Sequence, residues 1–146
     1  MKYLSMPAAV LLLCSSPYCP AADIDATGKS YDGQWSVDLV CSDTQDKKGL
    51  VKGYEYKFTI TITDGKVQGQ YGSKGAPASV VYSGSVADDG ALELKAVGNT
   101  GRSDYSVGKV AQGTDYSYTM TGKLDRQTGR AERRELRPCT AVIGRL

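Results

Sequence analysis

The amino-acid sequence predicts an all-β fold, a single antiparallel up-and-down β-barrel of about eight strands, with a β-sandwich as the alternative. Three observations predict it: segments of alternating apolar and polar residues, Asp-Gly pairs between such segments, and one cysteine near each end of the region after residue 22. Successive side chains of a strand point to opposite faces, so alternation indicates strands with one buried face. No stretch has a convincing helical period.

Two segments alternate most regularly, and both carry aromatic residues on the face predicted to point inward. The first places on that face Tyr54, Tyr56, Phe58, Ile60 and Ile62. The second places there Tyr116, Tyr118, Met120, Gly122 and Leu124. The residues between them are mostly Thr, Ser, Lys and Glu, as expected for an outer face.

The turns and polar loops divide the chain into strands. Asp64-Gly65 and Asp89-Gly90 are predicted type I′ hairpin turns, because both central positions of that turn need positive φ. Thr128-Gly129 is expected to turn the chain again, and longer loops are expected at 42–49, 72–78 and 98–103. The predicted strands are 33–42, 52–63, 66–72, 79–87, 91–98, 104–111, 115–125, and 130–136 with 139–145 as one broken strand or two.

Residues 1–22 are predicted to be a secretory signal peptide, and residues 23–146 the barrel domain. Lys2 gives a positive start, residues 6–13 form an apolar stretch too short to span a bilayer, and Ala21 or Ala22 offers the cleavage site. Lipid attachment at Cys14 is the alternative. The sequence therefore predicts a periplasmic or secreted bacterial protein, and no later segment is apolar enough for a transmembrane helix.

Cleavage would leave two cysteines, Cys41 and Cys139. A lone pair in an exported protein predicts one disulfide, here closing a loop of about 97 residues and stabilising the fold by about 4 kcal/mol. Because the chain has no histidine and metal sites want more ligands, we predict no metal site and no cofactor.

The same disulfide predicts the pairing of the first and last strands. In an antiparallel pair, residues two apart stay on one face, so the register continues from the disulfide along a single face. The expected partners are Leu39 with Ala141, Val37 with Ile143, and Trp35 with Arg145. Pairing the first strand with the last closes the sheet into a barrel and removes its edges.

Gly33 and Trp35 form a Gly-x-Trp on the first strand, and Arg145 ends the last strand. This combination resembles the calycin-like signature of lipocalin, fatty-acid-binding and avidin barrels, in which the Arg covers the Trp. Residues 64–71 resemble the early hairpin of avidin-type proteins. The whole frame is similar to small secreted bacterial β-barrel proteins, a group without an assigned function.

The resemblance implies a barrel closed at one end by Trp35 beneath Arg145, with a ligand contact as the alternative role of Gly33 and Trp35. It transfers no ligand, because avidin-type biotin sites need several Trp and this chain has one. Lipocalins also carry a helix after the barrel, and this chain shows none in its sequence pattern.

Catalytic chemistry has little support in the sequence. Without histidine, the Ser-His and Cys-His nucleophilic systems are absent, and most Asp residues fall at turns, where they serve backbone geometry. The net charge of +2 is too small to indicate nucleic-acid binding. We therefore predict that the protein is not an enzyme and does not bind nucleic acid.

The chain has ten tyrosines and one phenylalanine, an unusual ratio for a small core. A buried tyrosine hydroxyl needs a partner or water, so a tyrosine-lined interior could leave a polar-edged cavity near one mouth for a small aromatic or amphipathic molecule. In the alternative, the hydroxyls reach solvent at the barrel rims. The candidate ligand-lining residues are Tyr54, Tyr56, Tyr71, Tyr82, Tyr116 and Tyr118.

The segment 126–137 is rich in arginine and is a candidate patch for an anionic partner or envelope lipid, with a solvated strand pair of mixed charge as the alternative. Its arginines are Arg126, Arg130, Arg133, Arg134 and Arg137. The predicted function is thus non-catalytic binding of a small molecule. The alternative is a protein-interaction module, an inhibitor or envelope-associated factor, acting through loops 42–50, 72–78 and 98–104 or through this patch.

Overall fold

Eight antiparallel strands close into an up-and-down barrel in the computed structural model, which describes residues 31–146. Each barrel strand pairs with the next one along the chain, and the first pairs with the last, which confirms the predicted fold class. The predicted signal peptide lies outside the described residues. The barrel strands are β1 (Gly33–Cys41), β4 (Tyr54–Thr63), β5 (Lys66–Tyr71), β6 (Val80–Val86), β7 (Ala91–Asn99), β8 (Asp115–Leu124), β9 (Thr128–Arg133) and β10 (Cys139–Arg145).

The seam between β1 and β10 has the predicted register. Cys41 pairs with Cys139, and their sulfur atoms lie at bonding distance, 2.06 Å apart. From there the partners continue along the strands as Leu39 with Ala141, Val37 with Ile143, and Trp35 with Arg145. The other edge of β1 pairs with β4, so the first strand has a neighbour on both sides.

One predicted turn is confirmed, and two are wrong in detail. Asp64 and Gly65 both have positive φ, 47° and 71°, as a type I′ turn requires. Between β6 and β7, Gly90 alone has positive φ in a four-residue connection, 87–90, that is closed by a hydrogen bond from Ala87 N to Ala91 O. The last turn lies at 125–127 rather than at Thr128-Gly129, because the Asp125 carboxylate accepts hydrogen bonds from the backbone N–H groups that follow it.

The predicted strand at 104–111 is wrong. That segment contains two short 3₁₀ turns, Ser103–Tyr105 and Val107–Lys109, and belongs to a long excursion, 100–114, between β7 and β8. Gly108 and Lys109 have positive φ, 76° and 50°, which breaks any extended conformation there. The segments 130–136 and 139–145, predicted as one broken strand or two, form two separate strands, β9 and β10. Strand β9 ends at Arg133.

A small hairpin at 44–51 overlaps the segment expected to be a polar loop at 42–49. Its strands are β2 (Thr44–Asp46) and β3 (Gly49–Val51), and they pair outside the barrel sheet. Residues 47 and 48 form its turn.

The barrel interior has an aliphatic half and an aromatic half. Toward the ends of β1 and β10 marked by Trp35 and Arg145, the inward residues are buried and mostly aliphatic, among them Ile60, Leu94 and Ile143. Toward the disulfide the inward residues are mainly tyrosines, several of them only half-buried. The aliphatic half is thus a packed core, and within the described barrel only the aromatic half has space for a binding site.

Candidate functional site

The two ends of the barrel differ in the length of their connections. At the end near Trp35 the strands are joined by the short segments 64–65, 87–90 and 125–127. At the other end they are joined by 42–53, 72–79, 100–114 and 134–138. We call these the closed end and the open end; the long connections at the open end have room to surround a cavity.

The closed end is plugged by Trp35, which is completely buried. The indole Nε1 donates a hydrogen bond to the Tyr31 carbonyl (2.9 Å), and the Arg145 guanidinium lies over the ring, 5.3 Å from its centroid, as expected. Arg145 also donates from Nη2 to the carbonyl of Asp32 (2.6 Å). Gly33 adopts φ 131°, a value favoured by glycine, with Arg145 alongside it. Gly33 and Trp35 do not line the cavity described next.

A cavity of about 530 Å³ opens at the other end of the barrel. Of the six candidate tyrosines, Tyr54, Tyr56 and Tyr116 line it. The other three do not line it but pack beside or beneath those that do: Tyr71, Tyr82 and Tyr118.

Stacked rings hold these tyrosines in place. The Tyr56 ring lies between Tyr54, with centroids 4.6 Å apart, and Tyr71, with centroids 3.9 Å apart. The Tyr116 ring is nearly parallel to that of Tyr118, at 6.0 Å. Below them the hydroxyls of Tyr82 and Tyr118 are hydrogen-bonded to each other at 3.3 Å. Such packing restricts ring motion, so the cavity walls are preorganised.

Burial raises the pKa values of five tyrosines at or beneath the cavity, Tyr54, Tyr56, Tyr82, Tyr116 and Tyr118. Desolvation raises the pKa of Tyr56 to about 12, helped by its tyrosine neighbours. Desolvation also raises the pKa of Tyr54, where the guanidinium groups of Arg137 and Arg133 oppose the shift. The pKa values of Tyr82, Tyr116 and Tyr118 are raised for the same first reason. At neutral pH each hydroxyl is therefore both a hydrogen-bond donor and an acceptor.

Two arginines of the candidate partner patch belong instead to the wall of this cavity. Arg137 was expected at the surface but is only 2% exposed; its guanidinium lies 5.2 Å from the Tyr54 ring centroid and donates to the Lys52 carbonyl (2.9 Å). Arg133 is half-buried, with its guanidinium 4.3 Å from the centroid of Tyr118. Arg133 points inward because it lies two residues after Ala131 in β9, and Ala131 faces the core.

The other three arginines of the patch are exposed: Arg126, Arg130 and Arg134. Arg130 and Arg134 each form an ion pair with Glu132, at 3.1 Å. Their hydrogen bonds lower the pKa of that carboxyl, the one from Arg134 having the larger effect. The outer surface of this segment thus carries mixed and largely paired charge.

The excursion 100–114 forms much of the cavity wall and is tied down at both ends. Thr100 and Thr114 close its base, with Thr100 N donating to Thr114 O (2.8 Å) and Thr114 N donating to Thr100 Oγ1 (2.9 Å). The β2–β3 hairpin holds its far side, because Gly108 N donates to Asp46 Oδ2 (2.6 Å) and Lys48 Nζ donates to Gly108 O (2.7 Å). The small hairpin therefore positions the wall.

Two apolar side chains stand exposed at the cavity rim. Leu136 is 76% exposed and adopts φ 60°, a conformation that is uncommon for a bulky residue. Tyr105, at the end of the first 3₁₀ turn, is 36% exposed. Both contribute to the lining of the cavity and extend its apolar surface outward.

Sequence reasoning missed most of the wall. Thr100 lies in a predicted loop and Val110 in a predicted strand, and nothing in their pattern indicates a cavity. Arg133 could have been found, because it lies two residues after Ala131 in β9 and shares the inner face of that strand. Arg137 lies in the connection 134–138, where strand alternation does not apply.

The cavity wall combines aromatic faces, hydroxyls, the three guanidinium groups of Arg102, Arg133 and Arg137, and the Asp115 carboxylate. Within residues 31–146 no group of three potential metal ligands occurs, and none of the helical segments is long and apolar enough to cross a membrane. No protein-family model matches the chain, and neither the curated proteins nor the solved structures contain a significant match to it.

Proposed function

We propose that this protein is a non-catalytic binding protein that takes up a small aromatic or amphipathic molecule at the open end of its barrel. The observation that carries the proposal is the cavity of about 530 Å³ lined by Tyr54, Tyr56 and Tyr116. Small-molecule pockets commonly have volumes of about 300–1,000 Å³ and combine apolar walls with a few polar groups. An interior packed to its rim would have argued against this function.

Preorganisation supports the proposal further. The stacked tyrosines and the hydrogen bonds that anchor the excursion 100–114 fix the walls through contacts within the protein, so binding would cost little ordering of side chains. Contact with the apolar part of a ligand would remove the exposed apolar surface of Leu136 and Tyr105 from water, and this burial favours binding.

We also propose that the protein acts outside the cytoplasm, in the periplasm or as a secreted protein. The bonded pair Cys41–Cys139 supports an oxidising environment. The arrangement of Gly33, Trp35 and Arg145 supports the proposed kinship with calycin-type barrels.

The alternative, a protein-interaction module, is supported by the same rim. Leu136 and Tyr105 are both exposed beside a concave surface, and tyrosine is enriched among the residues that anchor partners. In that case Leu136→Ala would weaken partner binding, while substitution of the deeper Tyr56 would not.

A thermal-shift screen of small aromatic and amphipathic metabolites, followed by calorimetry, tests the proposal. Tyr56→Ala and Tyr116→Ala remove aromatic walls and should each weaken binding of a hit by about 1–2 kcal/mol. Tyr31→Ala is the matched control, since Tyr31 is a tyrosine of the closed end. If no compound raises the melting temperature, or if hits bind all variants equally, the cavity is not the binding site.

A further inference from the structure

The cavity wall carries positive charge that the protein itself leaves uncompensated. Four charged residues contribute to its lining besides the tyrosines: Arg102, Arg133, Arg137 and Asp115. Arg102 is paired with Asp104 at 3.1 Å, and the Asp115 carboxylate accepts a hydrogen bond from Asn99 Nδ2 at 2.6 Å. Within residues 31–146, no carboxylate forms an ion pair with Arg133 or Arg137.

Arg137 is the more unusual of the two. A side chain only 2% exposed normally has its charge paired, because burying an unpaired charge is costly. Instead its Nη2 donates to a backbone carbonyl, its guanidinium faces the Tyr54 ring, and its Nε is buried with no acceptor among the described residues. Arg133 likewise donates from Nε to a carbonyl, that of Glu135 at 3.1 Å.

The two guanidinium groups belong to one short stretch of chain beside the tyrosines. Arg133 ends β9, and Arg137 precedes Pro138 and β10, so the connection 134–138 brings both to the same side of the mouth. A guanidinium presents a planar fork of donors that matches a carboxylate. The three lining arginines outnumber the one lining carboxylate, Asp115, and Asp104, the partner of Arg102, also pairs with Lys52 at 3.4 Å. A negative charge from a ligand would therefore reduce an excess of positive charge at the wall.

We propose that the ligand is an aromatic carboxylic acid, whose ring stacks on the tyrosines while its carboxylate binds the guanidinium groups of Arg133 and Arg137. This rests on the proposed function and adds the chemical class of the ligand. The aromatic part supplies affinity through the rings of Tyr54, Tyr56 and Tyr116, and the acidic group supplies selectivity.

The test compares an acid with its neutral isostere, naphthoate against naphthamide, by calorimetry on the oxidised protein. The acid should bind at least about tenfold more tightly, and raising the salt concentration should reduce that preference. Arg133→Gln and Arg137→Gln should each remove most of the preference for naphthoate over naphthamide. If the Arg137→Gln variant does not fold, the Arg133→Gln variant still provides the test. The matched control is Arg134→Gln, because Arg134 is an exposed arginine of the same connection. This variant should retain the preference for naphthoate.

Tyr56→Ala separates this inference from the proposed function, since it should weaken acid and amide by the same factor. If acid and amide bind equally well to the wild type, the carboxylate inference is overturned while ligand binding stands. If neither binds, both are overturned. If Arg134→Gln abolishes the preference as fully as Arg133→Gln does, the acidic group is recognised outside the cavity and the inference also fails.

Discussion

Trp35 is sealed at the closed end by one side chain, Arg145, that combines a cation–π contact with hydrogen bonds to backbone carbonyls. The Arg145→Ala variant should lose about 1–3 kcal/mol of unfolding free energy, because both kinds of contact disappear. Since Trp35 is the only tryptophan, its fluorescence should also shift to the red as water reaches the ring.

Urea unfolding monitored by that fluorescence measures both effects. Arg126→Ala is the control, because only the backbone carbonyl of Arg126 accepts from Arg145, at 3.3 Å, and the exposed Arg126 side chain is not needed. A variant at position 145 as stable as the wild type, with unshifted emission, would show that the arginine does not seal the barrel.

At the residue scale, the sequence was informative wherever side-chain parity decides the face. It placed Trp35 opposite Arg145 and the tyrosines on the inner face. Once a strand is recognised, the side-chain period of two determines which face each residue occupies. It misplaced Arg137, because an arginine-rich run with interspersed glutamates is the usual composition of a solvated surface. The burial of Arg137 depends on Lys52 and Tyr54, which are distant in sequence.

At the scale of elements, the disulfide secures the seam between β1 and β10 at the open end. Replacing both Cys41 and Cys139 with serine should lower the unfolding free energy by about 4.7 kcal/mol in the chain-entropy model, since the two residues are 98 positions apart. The barrel should still form, because the seam keeps its ladder and its apolar pairs, among them Val37 with Ile143.

Denaturant titrations of the double variant and of the wild type, oxidised and reduced, measure this. The reduced wild type serves as the control and should match the double variant. Equal stability of oxidised and reduced wild type would mean that the bond contributes nothing to the fold.

Elements with strong alternation could be predicted, and elements specified by loop contacts could not. Strands β4 and β8 were recognisable because every second residue is apolar or aromatic. The shorter alternation in 104–111 predicts a strand, whereas positive φ at Gly108 and Lys109 and the hydrogen bonds from the β2–β3 hairpin hold the segment in turns. Those bonds join residues some 60 positions apart, beyond the reach of a local pattern.

At the scale of the whole molecule, the buried tyrosine cluster should make the fold sensitive to alkali. Desolvation raises the pKa of Tyr56 to about 12, and the pKa values of Tyr54, Tyr82, Tyr116 and Tyr118 are raised as well. In the unfolded chain tyrosines ionise near pH 10, so above about pH 10 the unfolded state releases protons first. Stability should therefore be complete below about pH 10 and fall as pH rises toward and beyond 12.

Urea midpoints measured from about pH 8 to about pH 11, with tyrosinate absorbance recorded in parallel, test this expectation. Tyr82→Phe removes one buried hydroxyl and should make the decline shallower, with Tyr105→Phe at the exposed rim as the matched variant. A midpoint that stays constant through this range would contradict it.

The seam also bears on how the molecule reaches its fold. Every barrel pairing except that of β1 with β10 joins strands adjacent along the barrel chain, so most of the sheet can assemble from near neighbours while the last pairing waits until β10 has joined β9. Until then the curved sheet has two unpaired edges, and unpaired edges are templates for joining a second chain. Crowding of incomplete chains, rather than the stability of the closed barrel, should thus decide how much of the protein escapes aggregation during synthesis and refolding.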